Sequence, residues 1–295
     1  MSSAIDFASG KGHRDENFPV ASRLVRAELR PTILAFYRFA RAADDVADHA
    51  TADAGRKLAE LDRLEAGLRG EAGARAEGQA LHTALQARGL ADRHALDLLE
   101  AFRRDVTKRR YADWAELMDY CRYSAAPVGR FVLDLHGESP ALWPLNDALC
   151  AALQVINHLQ DCAKDYRELD RVYVPIDALS AQGLDVPALS ERQASPPLRA
   201  VIAGLAQRSR ALLDQSRPFA DRIADRRLAM EVAVIQALAE SLVHRLERRD
   251  PLSERVHHRP AEAAAVALRG ALGVSLRRLG RMFGFRQPGL HGSQG

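Results

Sequence analysis

The feature of this sequence that most constrains its fold is a polar line on an otherwise apolar helix. The segment 148–160, ALCAALQVINHLQ, contains no acidic or basic residue except His158. A helix that is apolar nearly all round belongs in the middle of a fold. The polar line steps by three, four and four positions, so its members share one helix face: Gln154, Asn157, Asp161 and Asp165. Buried polar groups need partners, so this line requires an explanation.

A second helix, predicted over 31–48, has the same character. Apolar side chains such as Ile33, Phe36 and Val46 surround a polar line at helical spacing. The members of this line are Tyr37, Arg41, Asp44, Asp45 and Asp48. Like charges at this spacing repel, so a cation is expected between the two lines. Mg²⁺ prefers oxygen ligands and is commonly held by a few carboxylates together with substrate phosphates. The two lines therefore favour a Mg²⁺ site for a diphosphate.

The alternative is that each DxxxD spacing belongs to an ordinary charged surface. A third example, Asp221 to Asp225 in DRIAD, lies among charged neighbours and is interpreted as a solvated face. The pair in 31–48 and 154–165 is more specific, because both members lie on otherwise apolar helices.

Helical periodicity dominates the rest of the chain, and no alternating strand pattern or fixed-period repeat is present. The predicted helices are 31–50, 54–69, 79–88, 92–109, 113–136, 145–169, 197–222, 226–248 and 260–282. No long flexible linker interrupts them. We therefore expect an all-α, single-domain helical bundle around a central cavity, with 1–295 as one domain. Its core would cover about 13–250, and 251–295 would form a basic amphipathic extension.

Charge and composition limit the partners. The net charge of +3 is too small to indicate nucleic acid, so none is expected. No apolar run reaches the roughly 18 residues of a spanning helix, and the N-terminus has no signal-peptide core. Three cysteines do not suggest a disulfide framework. We expect a cytoplasmic protein. The basic tail 266–286 either lies on the inner membrane face or packs as a terminal helix with a solvated basic side, and the sequence leaves both open.

Two segments resemble the Asp-rich regions of squalene and phytoene synthases. They are FYRFARAADDVAD (36–48) and QVINHLQDCAKDYRELDRVYVP (154–175). ENFPVAS (16–22), YCRYSAAPVGR (120–130) and RDPLSERVH (249–257) are most similar to the hydroxylating branch of this family in bacterial hopanoid biosynthesis. The resemblance implies an isoprenoid synthase-type bundle. It also implies a Mg²⁺-dependent lyase that ionises presqualene diphosphate, rearranges the cation and adds water, giving hydroxysqualene and diphosphate.

The resemblance also assigns roles to residues. The metal ligands would be Asp44, Asp48, Asn157, Asp161 and Asp165. The catalytic group would be Tyr120, Tyr123 and Asp45, with the tyrosines steadying a cation by the ring quadrupole. The substrate-binding group would be Phe18, Tyr37, Arg41, Gln154, Arg171 and Tyr173. The partner is then a long-chain isoprenoid diphosphate. Tyr123 can equally be an ordinary packed residue.

The chain departs from the family's condensing members in three places. It lacks their lysine-containing HxKxF segment, has Gln160 where many relatives have arginine, and has no tyrosine after Tyr173. These losses weaken binding of a second diphosphate and suit an enzyme that starts from one presqualene diphosphate. Two alternatives stay open. One is a condensing enzyme that makes presqualene diphosphate, squalene or phytoene, and the other is a non-catalytic helical assembly factor.

Overall fold

The computed structural model describes residues 26–72 and 74–282, and its regular elements there are helices, with one isolated parallel bridge between Arg110 and Val172. The α-helices are α1 (Arg30–Asp48), α2 (Ala54–Leu68), α3 (Ala76–Gln86), α4 (Arg93–Thr107), α5 (Trp114–Ser124), α6 (Ala126–Leu135), α7 (Trp143–Leu169), α8 (Ile176–Ser180), α9 (Pro196–Ser216), α10 (Phe219–Arg222), α11 (Arg226–Leu246) and α12 (Pro260–Met282). Short 3-10 helices cover Pro140–Leu142 and Val186–Ser190. The expected all-α class is confirmed.

Two predicted helices are each divided in the structure. The segment 113–136 forms α5 and α6, which meet at Ala125 with φ −121° and ψ −49°. Pro127 has no N–H to donate, and its ring crowds the carbonyl of the preceding turn, so a continuous helix is broken there. The segment 197–222 ends α9 at Ser216, and α10 begins one residue after Pro218.

The helices pack as one domain with two adjoining groups of buried apolar side chains. In the first group α1 packs against α2, α3 and α4, and in the second α7 packs against α9 and α11. The rings of Phe36 on α1 and Phe131 on α6 stack with centroids 3.9 Å apart, and α6 also packs on α7. The expected single helical domain is confirmed, and α1 and α7 lie in its interior.

The end of α7 turns the chain back towards the bundle. Asp170 follows the helix with φ 51° and ψ 33°, the left-handed conformation that ends many helices. The next residues then run beside the segment that follows α4, because the Val172 N–H donates to the Arg109 carbonyl at 2.9 Å. This reversal places Arg171 and Tyr173 next to the buried face of α4.

The C-terminal helix α12 packs along α11. Among the residues that the structure describes, no helix is long and apolar enough to cross a membrane.

A close approach of α2 and α3 provides a test of this packing. A Cβ atom added to Gly78 would lie 2.3 Å from the Leu64 carbonyl oxygen, and backbone cannot move aside as a side chain can. We expect Gly78→Ala to lower the free energy of unfolding by about 1–3 kcal/mol through this overlap. Urea unfolding followed by circular dichroism measures the change.

Gly204 on α9 supplies the matched control, because a Cβ atom there would meet no heavy atom within 4 Å. Gly204→Ala should raise the free energy of unfolding by up to about 1 kcal/mol, the ordinary helix-propensity gain. Equal effects of the two substitutions would show that α2 and α3 do not approach as described.

Candidate active site

A cavity of about 620 Å³ lies between α1, α4, α5, α6, α7 and α11. This volume falls within the roughly 300–1,000 Å³ of small-molecule sites. Its two longest walls have the same polarity gradient. On α1 the lining runs from Ile33 and Phe36 to the carboxylates of the last turns, and on α7 it runs from Leu149 and Leu153 to those of its second half. The cavity therefore has one apolar end and one anionic end.

The anionic end contains the five residues for which the sequence predicted a metal-binding role. Asp44 and Asp48 of α1 line it from one side, and Asn157, Asp161 and Asp165 of α7 line it from the other. Both lines of side chains lie on helices whose opposite faces are buried, so the apolar core holds them in place. The prediction that two helices present carboxylates to one common space agrees with this placement.

The carboxylates disturb one another electrostatically. Burial, and next the charge of Asp48, raise the pKa of the Asp44 carboxyl to about 7. Burial, and next the charge of Asp165, raise the pKa of Asp161. In each case the ionised form is disfavoured because negative charges are concentrated where little water can screen them. A bound cation would relieve this cost.

The donor set at the anionic end fits a hard divalent cation. Carboxylate and amide oxygens are the ligands that Mg²⁺ takes, and no thiol or imidazole is needed to complete the five predicted ligands. Within 26–72 and 74–282, no three such groups are already gathered into a closed metal cluster. The geometry is that of facing half-sites, which suits ions that share their ligands with a phosphate group.

Arg41 occupies the boundary between the carboxylates and the apolar wall. Its guanidinium lies 3.0 Å from Asp44 and 2.5 Å from Asp45. Asp45 itself does not line the cavity and contacts Arg41 from outside it. The structure thus separates Asp45 from the other predicted residues of α1, and Arg41 connects Asp45 to the site.

A buried carboxylate that the sequence analysis did not single out organises one wall. Asp105 on α4 is 7% exposed and accepts hydrogen bonds from the Tyr120 hydroxyl at 2.8 Å and the Tyr173 hydroxyl at 2.9 Å. Arg171 donates from Nε to the Asp105 carbonyl at 3.1 Å and pairs through its other nitrogens with Asp48 and the Ala47 carbonyl. This network, here called the Asp105 network, connects α4, α5, the segment after α7 and the end of α1.

The Asp105 network fixes the aromatic wall of the cavity. The rings of Tyr120 and Tyr173 lie with centroids 5.4 Å apart. His158 of α7 stacks on Tyr173 with centroids 3.5 Å apart, and Gln154 donates to His158 Nε2 at 3.0 Å. Burial raises the pKa of both phenols well above the ordinary value, so they remain neutral. The wall therefore presents uncharged ring faces beside the carboxylates.

The sequence signal for Asp105 is its position. It follows Leu98 and Ala101 at helical spacing on the buried face of α4, where a charge is unusual. The arginines and lysine of FRRDVTKRR obscure this signal, because they make the segment resemble a solvated helix end.

Besides Asp45, two predicted site residues are not placed at the cavity. Tyr123 does not line it. The Arg104 guanidinium lies 4.3 Å from the Tyr123 ring centroid, and Arg122 donates to its hydroxyl at 2.9 Å. The catalytic role of Tyr123 stays a prediction. Phe18 lies outside the described residues. The other predicted residues, Tyr37, Arg41, Gln154, Arg171, Tyr173 and Tyr120, line the cavity.

The third DxxxD spacing has a structural use. Asp225 accepts the backbone N–H groups of Arg227 and Leu228 and so caps the N-terminus of α11. Asp221 pairs with Arg277 of α12 at 3.0 Å. Neither lines the cavity. The prediction of a solvated face is nevertheless wrong, because the Asp221 side chain is 19% exposed and the Asp225 side chain is 14% exposed.

A helical domain with a carboxylate-lined cavity that continues into an apolar, aromatic wall is the arrangement of an isoprenoid synthase. The squalene/phytoene synthase family model matches residues 12–262. The chain belongs to this family of enzymes.

Individual relatives agree in length as well as in sequence. The chain is 54% identical over 284 residues to a hydroxysqualene synthase of Rhodopseudomonas palustris, with 96% of each chain covered. It is 54% identical over 272 residues to a hydroxysqualene synthase of Zymomonas mobilis, with 92% of each covered. A solved squalene synthase from Alicyclobacillus acidocaldarius superimposes with a TM-score of 0.69 at 35% identity, covering 78% of this chain and 87% of that one.

The raised pKa of Asp44 predicts a pH dependence of stability in the absence of metal. A carboxyl whose pKa is higher in the folded than in the unfolded protein binds more protons when folded, so stability falls as pH rises between the two values. For Asp44 this window runs from the ordinary 3.8 to about 7. We expect Asp44→Asn to reduce the drop in melting temperature that wild type shows between pH 5 and pH 8 in EDTA.

The control is Asp214→Asn, which changes a carboxylate that is 54% exposed and, among the residues that the structure describes, forms an ion pair with Arg217 alone. This variant should keep the wild-type pH dependence. If Asp44→Asn also keeps the wild-type pH dependence of the melting temperature, the pKa of Asp44 is not raised as described.

Proposed function

We propose that this chain converts presqualene diphosphate into hydroxysqualene and diphosphate with the help of Mg²⁺. The observation that carries the proposal is a single cavity with two facing carboxylate half-sites at one end and an apolar interior beyond them. An isoprenoid diphosphate has the same division, with one highly charged end and a long apolar remainder. The names of the relatives that are 54% identical support the particular reaction.

The anionic end would hold the metal and the diphosphate. Asp44 and Asp48 of α1 would take ions on one side, and Asn157, Asp161 and Asp165 of α7 would take them on the other. Bound Mg²⁺ would neutralise the diphosphate and make it a better leaving group. Arg41 and Arg171 would add positive charge beside it. Arg171 needs little reorganisation, because Asp105 and Ala47 already hold its guanidinium.

The aromatic wall would face the carbocation that the departure of diphosphate leaves. Tyr120 and Tyr173 are held by Asp105, so their ring faces do not have to be ordered when the charge develops. An aromatic face attracts a cation through its quadrupole, more strongly when water is excluded. Tyr37 and Gln154, between the carboxylates and the apolar interior, would contact the first carbons of the chain.

The apolar end would hold the hydrocarbon. The stacked rings of Phe36 and Phe131 line this end of the cavity. Leu149, Leu153 and Ile235 line it as well. Burial of apolar carbon contributes about 25 cal/mol per Å² removed from water, so a long isoprenoid can gain much of its affinity there. The same wall keeps bulk water from the cation.

Incubation of the protein with presqualene diphosphate and Mg²⁺, without a nicotinamide cofactor, tests the proposal. Mass analysis of the extracted lipid should find an alcohol of the squalene skeleton. Asp48→Ala and Asp161→Ala each remove a metal-facing carboxylate, and we expect the rate to fall about a thousandfold or more, ~4 kcal/mol of barrier.

Asp221→Ala is the matched control, because Asp221 belongs to a DxxxD spacing that lies away from the cavity. It should retain wild-type turnover. Turnover of farnesyl diphosphate in place of presqualene diphosphate would move the chain to the condensing enzymes. Failure of Mg²⁺ with diphosphate to raise the melting temperature would favour a non-catalytic assembly factor.

We also propose that α12 contacts a membrane surface. The sequence suggested a basic face, but Arg277 pairs with Asp221 and Arg278 donates to the Ala220 carbonyl at 3.0 Å. Besides the exposed arginines Arg269 and Arg277, the helix presents an apolar edge of three leucines at a spacing of four residues: Leu268 (62% exposed), Leu272 (54%) and Leu276 (67%). Such an edge can enter the boundary between headgroups and acyl chains. A lipid surface also supplies a long apolar substrate.

Flotation with vesicles of phosphatidylcholine and phosphatidylglycerol tests the membrane contact. The triple variant Leu268→Ser, Leu272→Ser, Leu276→Ser should float much less than wild type, because each exposed leucine loses apolar area that the bilayer would bury. Serine at Ala261, Ala264 and Ala265, which are also exposed on α12, should change little. Equal flotation of both variants would contradict the proposal. It would also be contradicted if wild type were a dimer that the leucine substitutions alone convert into a monomer, because the leucines would then contact a second copy of the chain.

A further inference from the structure

The proposed reaction needs one water molecule at a place from which other water is excluded. Most polar side chains of the cavity wall already have partners. Tyr120 and Tyr173 donate to Asp105, and the Asn146 side chain donates to the Ala126 carbonyl at 3.2 Å. Ser124 differs, because its Oγ is buried and has no hydrogen-bond partner among the described residues. A buried hydroxyl without a partner is energetically unfavourable, so this one is suited to a polar guest.

The hydroxyl of Ser124 makes no hydrogen bond to its own helix. Two buried serines of α9 do, because Ser209 donates to the Leu205 carbonyl at 3.1 Å and Ser216 donates to the Leu213 carbonyl at 3.0 Å. Ser124 is the last residue of α5, and the chain leaves helical geometry at Ala125. The side chain makes no such bond here, so its hydroxyl can turn towards the cavity that Ser124 lines without losing an interaction.

The departure from helical geometry at Ala125 also affects the backbone carbonyl of Ser124, which is a second hydrogen-bond acceptor. In a continuous helix the Val128 N–H would donate to the Ser124 carbonyl, but it donates to the Ala125 carbonyl at 3.2 Å instead. Val128 lines the cavity one turn beyond Ser124. Tyr120, one turn before Ser124, lies on the same helix face and belongs to the aromatic wall.

We infer that Ser124 positions the water that is added to the carbocation, an inference that rests on the proposed function. The water donates its two hydrogens to the Ser124 hydroxyl and carbonyl oxygens and keeps a lone pair directed at the cation beside Tyr120. That lone pair forms the new C–O bond. The Ser124 hydroxyl takes up the proton that the water donates to it and gives its own proton to an oxygen of the released diphosphate. The cation thus becomes an alcohol, and no oxidant or reductant takes part.

Glu231 of α11 lines the cavity as well, but it already takes part in another interaction. Asn146 is a further polar side chain that could hold water in the apolar part of the cavity. It precedes Gln154 on α7 by eight residues, which corresponds to about 12 Å along the helix. Its amide also has protein partners at Ala126 and Asp147. Water held there would be far from the carbons next to the diphosphate, where the charge develops, so Ser124 is the better placed of the two.

The test measures how the cation is partitioned, using presqualene diphosphate and Mg²⁺. In Ser124→Ala, diphosphate release should continue, but the cation should lose a proton more often than it gains water. We expect the ratio of alcohol to C30 hydrocarbon to fall about tenfold, the effect of one strong hydrogen bond. Ser124→Thr keeps a hydroxyl and should keep most of the alcohol.

Ser209→Ala is the control for loss of a buried serine hydroxyl away from the cavity, and it should leave the ratio unchanged. An unchanged ratio in Ser124→Ala would overturn the inference, and so would an equal fall in the alanine and threonine variants. If the alanine variant does not fold, Ser124→Cys, which keeps the volume but has a weak acceptor, answers the same question. Wild type that yields no alcohol would overturn the proposed function itself, and this inference with it.

Discussion

The structure depends on holding like charges together inside a helical core. Asp44 and Asp48 on α1 and Asp161 and Asp165 on α7 face one cavity, and their mutual repulsion and burial raise the pKa of Asp44 and Asp161. Such an arrangement is unfavourable by itself. It persists because the remaining faces of both helices are buried in apolar contacts that contribute more than the repulsion costs. The protein is thereby prepared for cations and, with them, for a diphosphate.

The Asp105 network converts this charged space into an ordered one. The buried Asp105 carboxylate accepts hydrogen bonds from the hydroxyls of Tyr120 and Tyr173. Arg171 connects the backbone carbonyl of Asp105 to the Asp48 carboxylate at the end of α1. Because each group is held by another, the ring faces and the guanidinium are oriented before any substrate enters. Preorganised dipoles of this kind stabilise a developing charge without a further reorganisation cost. The polar and aromatic walls are therefore one unit.

Several functional positions follow from backbone irregularities. The left-handed Asp170 returns the chain so that Arg171 and Tyr173 face the cavity, and the chain leaves helical geometry at Ala125, next to the unpartnered hydroxyl of Ser124. A proline at position 127 marks the second irregularity in the sequence, although the predicted helix 113–136 ran through it.

The sequence by itself determined the helical class, the two buried carboxylate helices and nearly all of the residues that line the anionic end. These follow from local periodicity, since side chains three or four residues apart on one helix must share a face. Only the tertiary structure decided which lines face each other, that Asp105 joins Tyr120 to Tyr173, and that Arg277 and Arg278 of α12 bond to the segment around α10 while three leucines of the helix stay exposed. Those outcomes depend on contacts between residues far apart in the chain, which no local pattern encodes.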